Sequence, residues 1–325
     1  MSKKSDDMKS LPAFALSAAI ACMSIQASAQ DLQSSRQSIS YHTVDIDGLK
    51  IFYREAGPVN APTLLLLHGF PSSSRMWDPL LPLLANRYHL VAPDYPGFGN
   101  SSAPSPDNFA YTFDNLANTM NALTSKLGIT DYVLLMQDYG GPVGFRMALA
   151  HPKRVRAIIV QNAVSHEQGL SSLWEARRKY WANPSHELEN LNANFTSLES
   201  TRLRHIGSSP NLSRYDPDAW LDEYAFLTRP GQADIQAKLF LDYRTNVAFY
   251  PRWQEWLREV QPKMLVVWGK YDLSFTVYGA MAYGEDVPDA EIHILEAGHF
   301  ALDEATNEIA SLVLDFVDRL TGHTE

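Results

Sequence analysis

The sequence predicts an α/β fold: a mostly parallel sheet wrapped by helices on both faces, with a helical cap inserted into it. Three observations predict this. Short apolar runs such as "TLLLL" (63–67) and "YVLLMQ" (132–137) lack the polar alternation of a half-exposed strand, so they read as strands buried on both faces. Amphipathic helical stretches separate them, the signature of strand–helix–strand crossovers. Residues 164–260 break the rhythm with a Trp-, Tyr-, Arg-, Glu- and Asn-rich stretch of helical spacing, after which the strand pattern resumes.

The elements follow in order. "YHTVDI" and "KIFYREAG" flank Asp47-Gly48, a hairpin signal. "HLVAP" (89–93), "RAIIVQ" (156–161), "KMLVVWG" (263–269) and "AEIHILE" (290–296) complete the strand set. "YTFDNLANTMNALTSKLG" (111–128) is a helix closed by glycine, and a last amphipathic helix lies near 304–320. The chain has 325 residues, 45% hydrophobic and 20% charged, enough for one large domain with an insertion. We therefore divide it into a first core segment (30–163), a cap (164–260) suited by its aromatic content to covering an apolar cavity, and a second core segment (261–325).

The N-terminus is different. Lys3, Lys4 and Lys9 precede "LPAFALSAAIACMSI", which ends at Ala27-Ser28-Ala29, so residues 1–29 read as a secretory signal peptide and the protein is expected in the periplasm or outside the cell. Cys22, the only cysteine, lies in this leader; Ala19-Ile20-Ala21 before it leaves a lipoprotein reading open. The mature chain would have no disulfide, thiol nucleophile or cysteine-bound metal. A formal charge of −10 without a basic tract argues against nucleic acid or anionic membrane surfaces as partners. No apolar run reaches the roughly 20 residues of a membrane span. The histidines lack metal-ligand spacing, and no cofactor or metal is implied.

The chemistry-bearing residues follow strands. "LLMQDYGGP" (134–142) ends an apolar run in Asp138 and starts a helix after Gly140-Gly141, a sharp strand-to-helix turn that holds one side chain above the sheet. "LLLLHGFP" sets His68-Gly69-Phe70-Pro71 after a strand, "VVWGKYDLSF" sets Asp272 after another, and "EAGHFALDE" sets His299 after the last. Each has a plainer role open to it: helix N-cap for Asp138, turn residue for Asp272, surface histidine for His299. Their order of acid, acid, histidine, each at the carboxyl end of a strand, points instead to one site.

These motifs, with "DYPGFGNS" (94–101), resemble the α/β-hydrolase superfamily and within it the epoxide hydrolases and haloalkane dehalogenases. The resemblance covers nearly everything from residue 41 onward. It implies an eight-stranded sheet, Asp138 as nucleophile, His299 as base, Asp272 as its orienting acid, and the backbone N–H groups of Phe70 and Tyr139 as oxyanion donors. A carboxylate suits attack on saturated carbon, because the ester it forms can be hydrolysed, whereas serine would form an inert ether.

The leaving group is harder to read. Tyr243 in "LDYRTNVAFYPRW" resembles the cap tyrosine that protonates an opened epoxide, and Tyr180 and Trp181 in "RRKYWANPSHEL" are candidates for a second donor. Tyr243 and Tyr180 could equally pack cap against core. Phe70 after His-Gly, and Tyr139 where dehalogenases usually have tryptophan, favour epoxides; Gln137 resembles one dehalogenase branch. Fluoroacetate dehalogenases place an arginine after the nucleophile, and Tyr139 stands there instead. The expected substrate is thus a small apolar epoxide, alternatively a haloalkane, with water as co-substrate; a non-catalytic ligand-binding module is the third reading.

Overall fold

The computed structural model describes residues 39–322, except for the side chains at 190 and 192–194. The leader expected over residues 1–29, with Cys22, lies outside the described residues. Eight strands carry the fold: β1 (Ser40–Ile46), β2 (Leu49–Ala56), β3 (Thr63–Leu67), β4 (His89–Pro93), β5 (Tyr132–Gln137), β6 (Val155–Gln161), β7 (Met264–Gly269) and β8 (Glu291–Leu295). They form one sheet in the order β1-β2-β4-β3-β5-β6-β7-β8. The β1–β2 and β2–β4 pairings are antiparallel and the rest parallel.

The helices are α1 (Leu81–Leu84), α2 (Phe113–Lys126), α3 (Gly140–Ala150), α4 (Trp174–Ala182), α5 (Pro184–Phe195), α6 (Leu198–Ile206), α7 (Pro217–Leu227), α8 (Gln232–Val260), α9 (Val277–Asp286) and α10 (Leu302–Thr321). The apolar strands divide by period two between the sheet's faces. Leu65, Leu67, Leu134, Met136, Ile158 and Val160 pack with residues of α2, α3 and α9. Leu64, Leu66, Val133, Leu135, Ala157 and Ile159 pack with α1 and α10. Both faces are covered, so the central strands carry no polar alternation.

Local sequence sets the flanking helices. Thr112 caps α2 by accepting from the Asn115 N–H, Asp114 stands in its first turn, and Gly128 follows its end with φ +70°. The helix expected over 111–128 is thus observed two residues shorter at each end, and that expected near 304–320 runs from 302 to 321.

Helices α4 to α7 and the first part of α8 fill the span between β6 and β7. The 29-residue α8 then runs from this layer down to the core. There Trp253 stacks on Phe145 of α3 with ring centroids 5.2 Å apart, and Arg258 meets Asp286 at 2.6 Å. Arg146 of α3 ties three helices, donating to Asp114 at 2.5 Å and to Thr245 at 3.1 Å.

A second tie joins the cap to the start of α10. His205 of α6 is buried, with Nδ1 2.6 Å from Asp303 and Nε2 2.9 Å from Glu223, its ring stacked 4.3 Å from Phe300. Burial opposes its charge, but the two carboxylates outweigh that and raise its pKa to about 10. A folded-state pKa above the unfolded one gives stability that is full below about pH 6.5 and lost as pH rises towards 10. We predict that the unfolding free energy falls across this window, with a slope approaching about 1.4 kcal/mol per pH unit. His205→Gln should flatten that slope in denaturant titrations run from pH 6 to pH 10. Equal slopes for the two proteins would refute the assignment.

Candidate active site

The strand-to-helix turn after β5 holds Asp138 in the left-handed region, at φ +48°. An L-residue there is strained by about 1–3 kcal/mol, and neighbouring bonds hold it. The Asp138 N–H donates to the Asn162 carbonyl at 3.3 Å, and the Asp138 carbonyl accepts from Gly141 N–H at 3.0 Å. Two glycines make room. A Cβ on Gly140 would lie 2.1 Å from the Leu67 carbonyl oxygen, and one on Gly69 would lie 2.1 Å from Gln137 Oε1 and 2.4 Å from Asp138 Cβ. With Gly69 in place, the Phe70 N–H reaches Asp138 Oδ1 at 2.8 Å, and the Tyr139 N–H also donates to this carboxylate.

The structure brings the three expected residues together. His299 follows β8, and its Nδ1 lies 2.6 Å from Asp272 Oδ2. Its Nε2 faces Asp138 Oδ2 at 3.7 Å. Asp272 Oδ1 accepts the N–H groups of Ser274 and Phe275 at 2.7 and 3.1 Å. Burial pushes the Asp138 pKa up, and His299 and the two backbone donors only partly offset it. For His299, burial works against the charged form, but the charge and hydrogen bond of Asp272, with the charge of Asp138, raise its pKa. The "HGFP" histidine plays a different part. His68 is buried, packs on Tyr95 at 4.2 Å and shapes the loop, and burial lowers its pKa to about 4.

These residues floor a cavity of about 600 Å³ under the cap. Phe70, Tyr139, Trp174, Phe240 and Tyr243 give it apolar walls. Tyr243 is where the sequence placed a cap donor: it is buried, its ring lies 5.9 Å from that of Tyr139, and its hydroxyl neighbours Tyr250. Burial raises the pKa values of Tyr139 and Tyr243 well above the free phenol's, so both stay protonated.

Tyr180 and Trp181 are corrected as leaving-group residues. The Tyr180 hydroxyl donates to the Ala237 carbonyl at 3.1 Å and the Trp181 indole N–H to the Phe240 carbonyl at 2.7 Å, so both serve the α4–α8 contact. The first turn of α4, with Trp174 and Arg177, lines the cavity instead.

A profile described as the alpha/beta hydrolase fold matches residues 62–306. The chain belongs to the α/β-hydrolase family. A Saccharomyces cerevisiae hydrolase named as uncharacterised is 38% identical over 279 residues, 84% of this chain and 96% of its own. A fluoroacetate dehalogenase of Burkholderia sp. is 42% identical over 270 residues, 79% of this chain and 88% of its own. The solved haloalkane dehalogenase of Bradyrhizobium elkani superposes with a TM-score of 0.73 at 22% identity, covering 88% of this chain and all (100%) of that one, which shows the shared fold. The protein is thus an α/β-hydrolase enzyme, and the non-catalytic reading falls away.

Four residues of this α/β-hydrolase site escaped the sequence reading in these roles. Asn162 follows β6 at φ +42°, and its Nδ2 donates to Asp272 Oδ2 at 2.9 Å while its Oδ1 accepts from Gly269 N–H at 2.8 Å. A polar residue closing the buried run "RAIIVQN" was the available signal. Gln137 places its side-chain amide 3.0 Å from His299 Nε2. Arg177 and Arg204 line the cavity from the cap, where helical spacing alone does not separate inward from outward arginines. We predict that Gly69→Ala, by forcing Gln137 and Asp138 apart, lowers stability by about 1–3 kcal/mol and removes activity. Chemical denaturation and a hydrolysis assay check this; wild-type behaviour in both would show that the loop yields.

Proposed function

We propose that the enzyme hydrolyses a small epoxide to a vicinal diol through an ester on Asp138. The observation that carries the reading is the Asp138 carboxylate itself. Its Oδ1 is held 2.8 Å from the Phe70 N–H, and its Oδ2 lies open to the cavity, 3.7 Å from His299 Nε2.

In the first step Oδ2 attacks the ring carbon in line with the C–O bond, which breaks as the new C–O bond forms. The alkoxide takes the Tyr243 phenol proton, a favourable transfer because an alkoxide is a stronger base than a phenolate. In the second step His299 Nε2 takes a proton from water, and the hydroxide adds to the Asp138 carboxyl carbon. Oδ1 becomes the oxyanion, held by the Phe70 and Tyr139 N–H groups; one such donor is worth roughly 2.7–4 kcal/mol in comparable sites. Collapse expels the alkoxide, which takes the proton of the new Asp138 carboxyl group and leaves as the diol, and the His299 proton returns to the Tyr243 phenolate. The sum is epoxide plus water to diol.

Esterification also readies the base. Asp138's negative charge helps hold the proton on His299. The ester has no such charge, so the imidazole loses its proton more easily when water must be activated. Asp272, fixed by Asn162 and by two backbone donors, orients the ring throughout.

Hydrolytic dehalogenation is the second reading, and the Burkholderia relative favours it. Against it, the Trp174 and Trp181 indole N–H groups are spent on the Ser274 and Phe240 carbonyls, so neither of these two indoles is free to hold a halide. We also propose that residues 1–29 export the enzyme from the cytoplasm.

The two-step chemistry is testable at each step. In His299→Gln the ester should accumulate, so intact-mass spectra after incubation with small epoxides should gain the substrate mass on Asp138, and Asp138→Ala should abolish both adduct and turnover. No adduct from any epoxide or bromoalkane would sink the Asp138 mechanism. Tyr243→Phe should cut epoxide turnover by about 10²–10⁴-fold. Diol and bromide release measured side by side then decide the leaving group: bromoalkane turnover that exceeds epoxide turnover in the wild type would replace the epoxide reading.

A further inference from the structure

The cap wall of the cavity carries two cations that this chemistry does not use. Arg177 on α4 is 7% exposed; its Nη1 donates to Ser274 Oγ at 3.1 Å, and its guanidinium lies over Trp174 at 4.0 Å and Phe195 at 4.8 Å. Arg204 on α6 donates through Nη2 to the Phe195 carbonyl at 2.7 Å and lies over Phe70 at 4.7 Å. Arg177 Nε and Arg204 Nη1 are left buried without a hydrogen-bond partner. Among the described residues neither guanidinium forms an ion pair with a carboxylate, although both line the cavity of Asp138 and His299.

Burying two cations side by side is unfavourable unless an anion joins them. Burial, and then the neighbouring Arg177, bring the Arg204 pKa down to about 10. Of the acids, Asp138 acts most strongly on both arginines, but its carboxylate is held by the Phe70 and Tyr139 N–H groups and hydrogen-bonds to neither of them. In the covalent intermediate even that charge is gone, and both cations face a neutral ester. An anion that stays bound through both steps has to arrive on the substrate.

We propose that Arg177 and Arg204 form an anion subsite for a carboxylate carried by the substrate, so that the preferred substrates are small oxirane carboxylates rather than neutral apolar epoxides. The assignment of chemistry rests on Asp138 as nucleophile; the subsite rests on the arginines. Planar guanidinium forks suit a carboxylate, and the aromatic faces behind them restrict their movement. The cap thereby supplies a charge that the residue after the nucleophile, Tyr139, does not.

Calorimetric titration with cyclopropanecarboxylate, an unreactive isostere of oxirane carboxylate, against cyclopropanecarboxamide reads the subsite without any chemistry. The acid should bind more tightly than the amide. Arg177→Met or Arg204→Met should weaken the acid by about 10- to 100-fold, and Arg204→Lys by less, with circular dichroism confirming that each variant is folded. Equal affinity for acid and amide, or arginine variants that hold the acid as tightly as the wild type, overturns the proposal. Bromide displacing the acid at comparable concentration assigns the arginines to a leaving halide and overturns it too.

Oxirane carboxylate and oxirane carboxamide then separate the two readings in the His299→Gln variant. Adducts on Asp138 that form faster from the amide overturn the subsite and keep the nucleophile. Arginine-dependent binding of the acid without adduct from either compound keeps the subsite and overturns the nucleophile.

Discussion

The site depends on one backbone conformation, that of Asp138 at φ +48°. The sharp turn there ends β5 and starts α3 within two residues, and it stands the carboxylate above the sheet at the N-terminus of a helix, where a negative charge is favoured. The strain is shared with the next strand. Asn162, which follows β6, is left-handed as well at φ +42°, and its carbonyl accepts the Asp138 N–H. The side chain of Asn162 then grips Asp272, and Asp272 grips His299, whose Nε2 returns to Asp138 Oδ2. The three acid–base groups therefore form a closed circuit anchored at the ends of adjacent strands. Movement of any member disturbs the other two, and the packing leaves no room for an extra atom at Gly69, beside Gln137 and Asp138, or at Gly140, beside the Leu67 backbone.

The core and the floor of the site were legible because each rests on local sequence. A parallel sheet covered on both faces requires continuous apolar strands, and β3 to β7 supplied them in the expected places. Asp138, Asp272, His299, Phe70 and Tyr139 each lie within a few residues of a strand's carboxyl end, so locating the strand located the residue. Asn162 sits at such an end too, but an asparagine after a strand also reads as an ordinary turn, and only the contact with Asp272 gives it a role.

The cap was less legible for a physical reason. A helix presents three or four faces, and which one meets the cavity depends on how α4 to α8 pack on each other. Tyr180 and Trp181 carry the right chemistry for donors, yet each spends its hydrogen on a carbonyl of α8. Arg177 lies one turn earlier, faces inward, and reads in sequence as one more member of a charged stretch. Its inward orientation is set by Ser274 from the loop after β7 and by the ring of Phe195 on α5, neither of which lies near it in the chain.

The same packing decides how charge is balanced around the nucleophile. Asp138 and Asp272 face His299 on the core side, and Arg177 and Arg204 face them from the cap. With His299 protonated the set carries two negative and three positive charges around one cavity. Esterifying Asp138 removes a negative charge and shifts the balance further towards the positive. His299 can relieve part of that by giving up its proton, as hydrolysis requires, but two guanidinium charges remain. A core site of one buried acid pair and one histidine has no need of two further cations; a core site that receives an anion with each substrate does. The cap thus sets the charge of what the core can process, while the core sets which bond is broken.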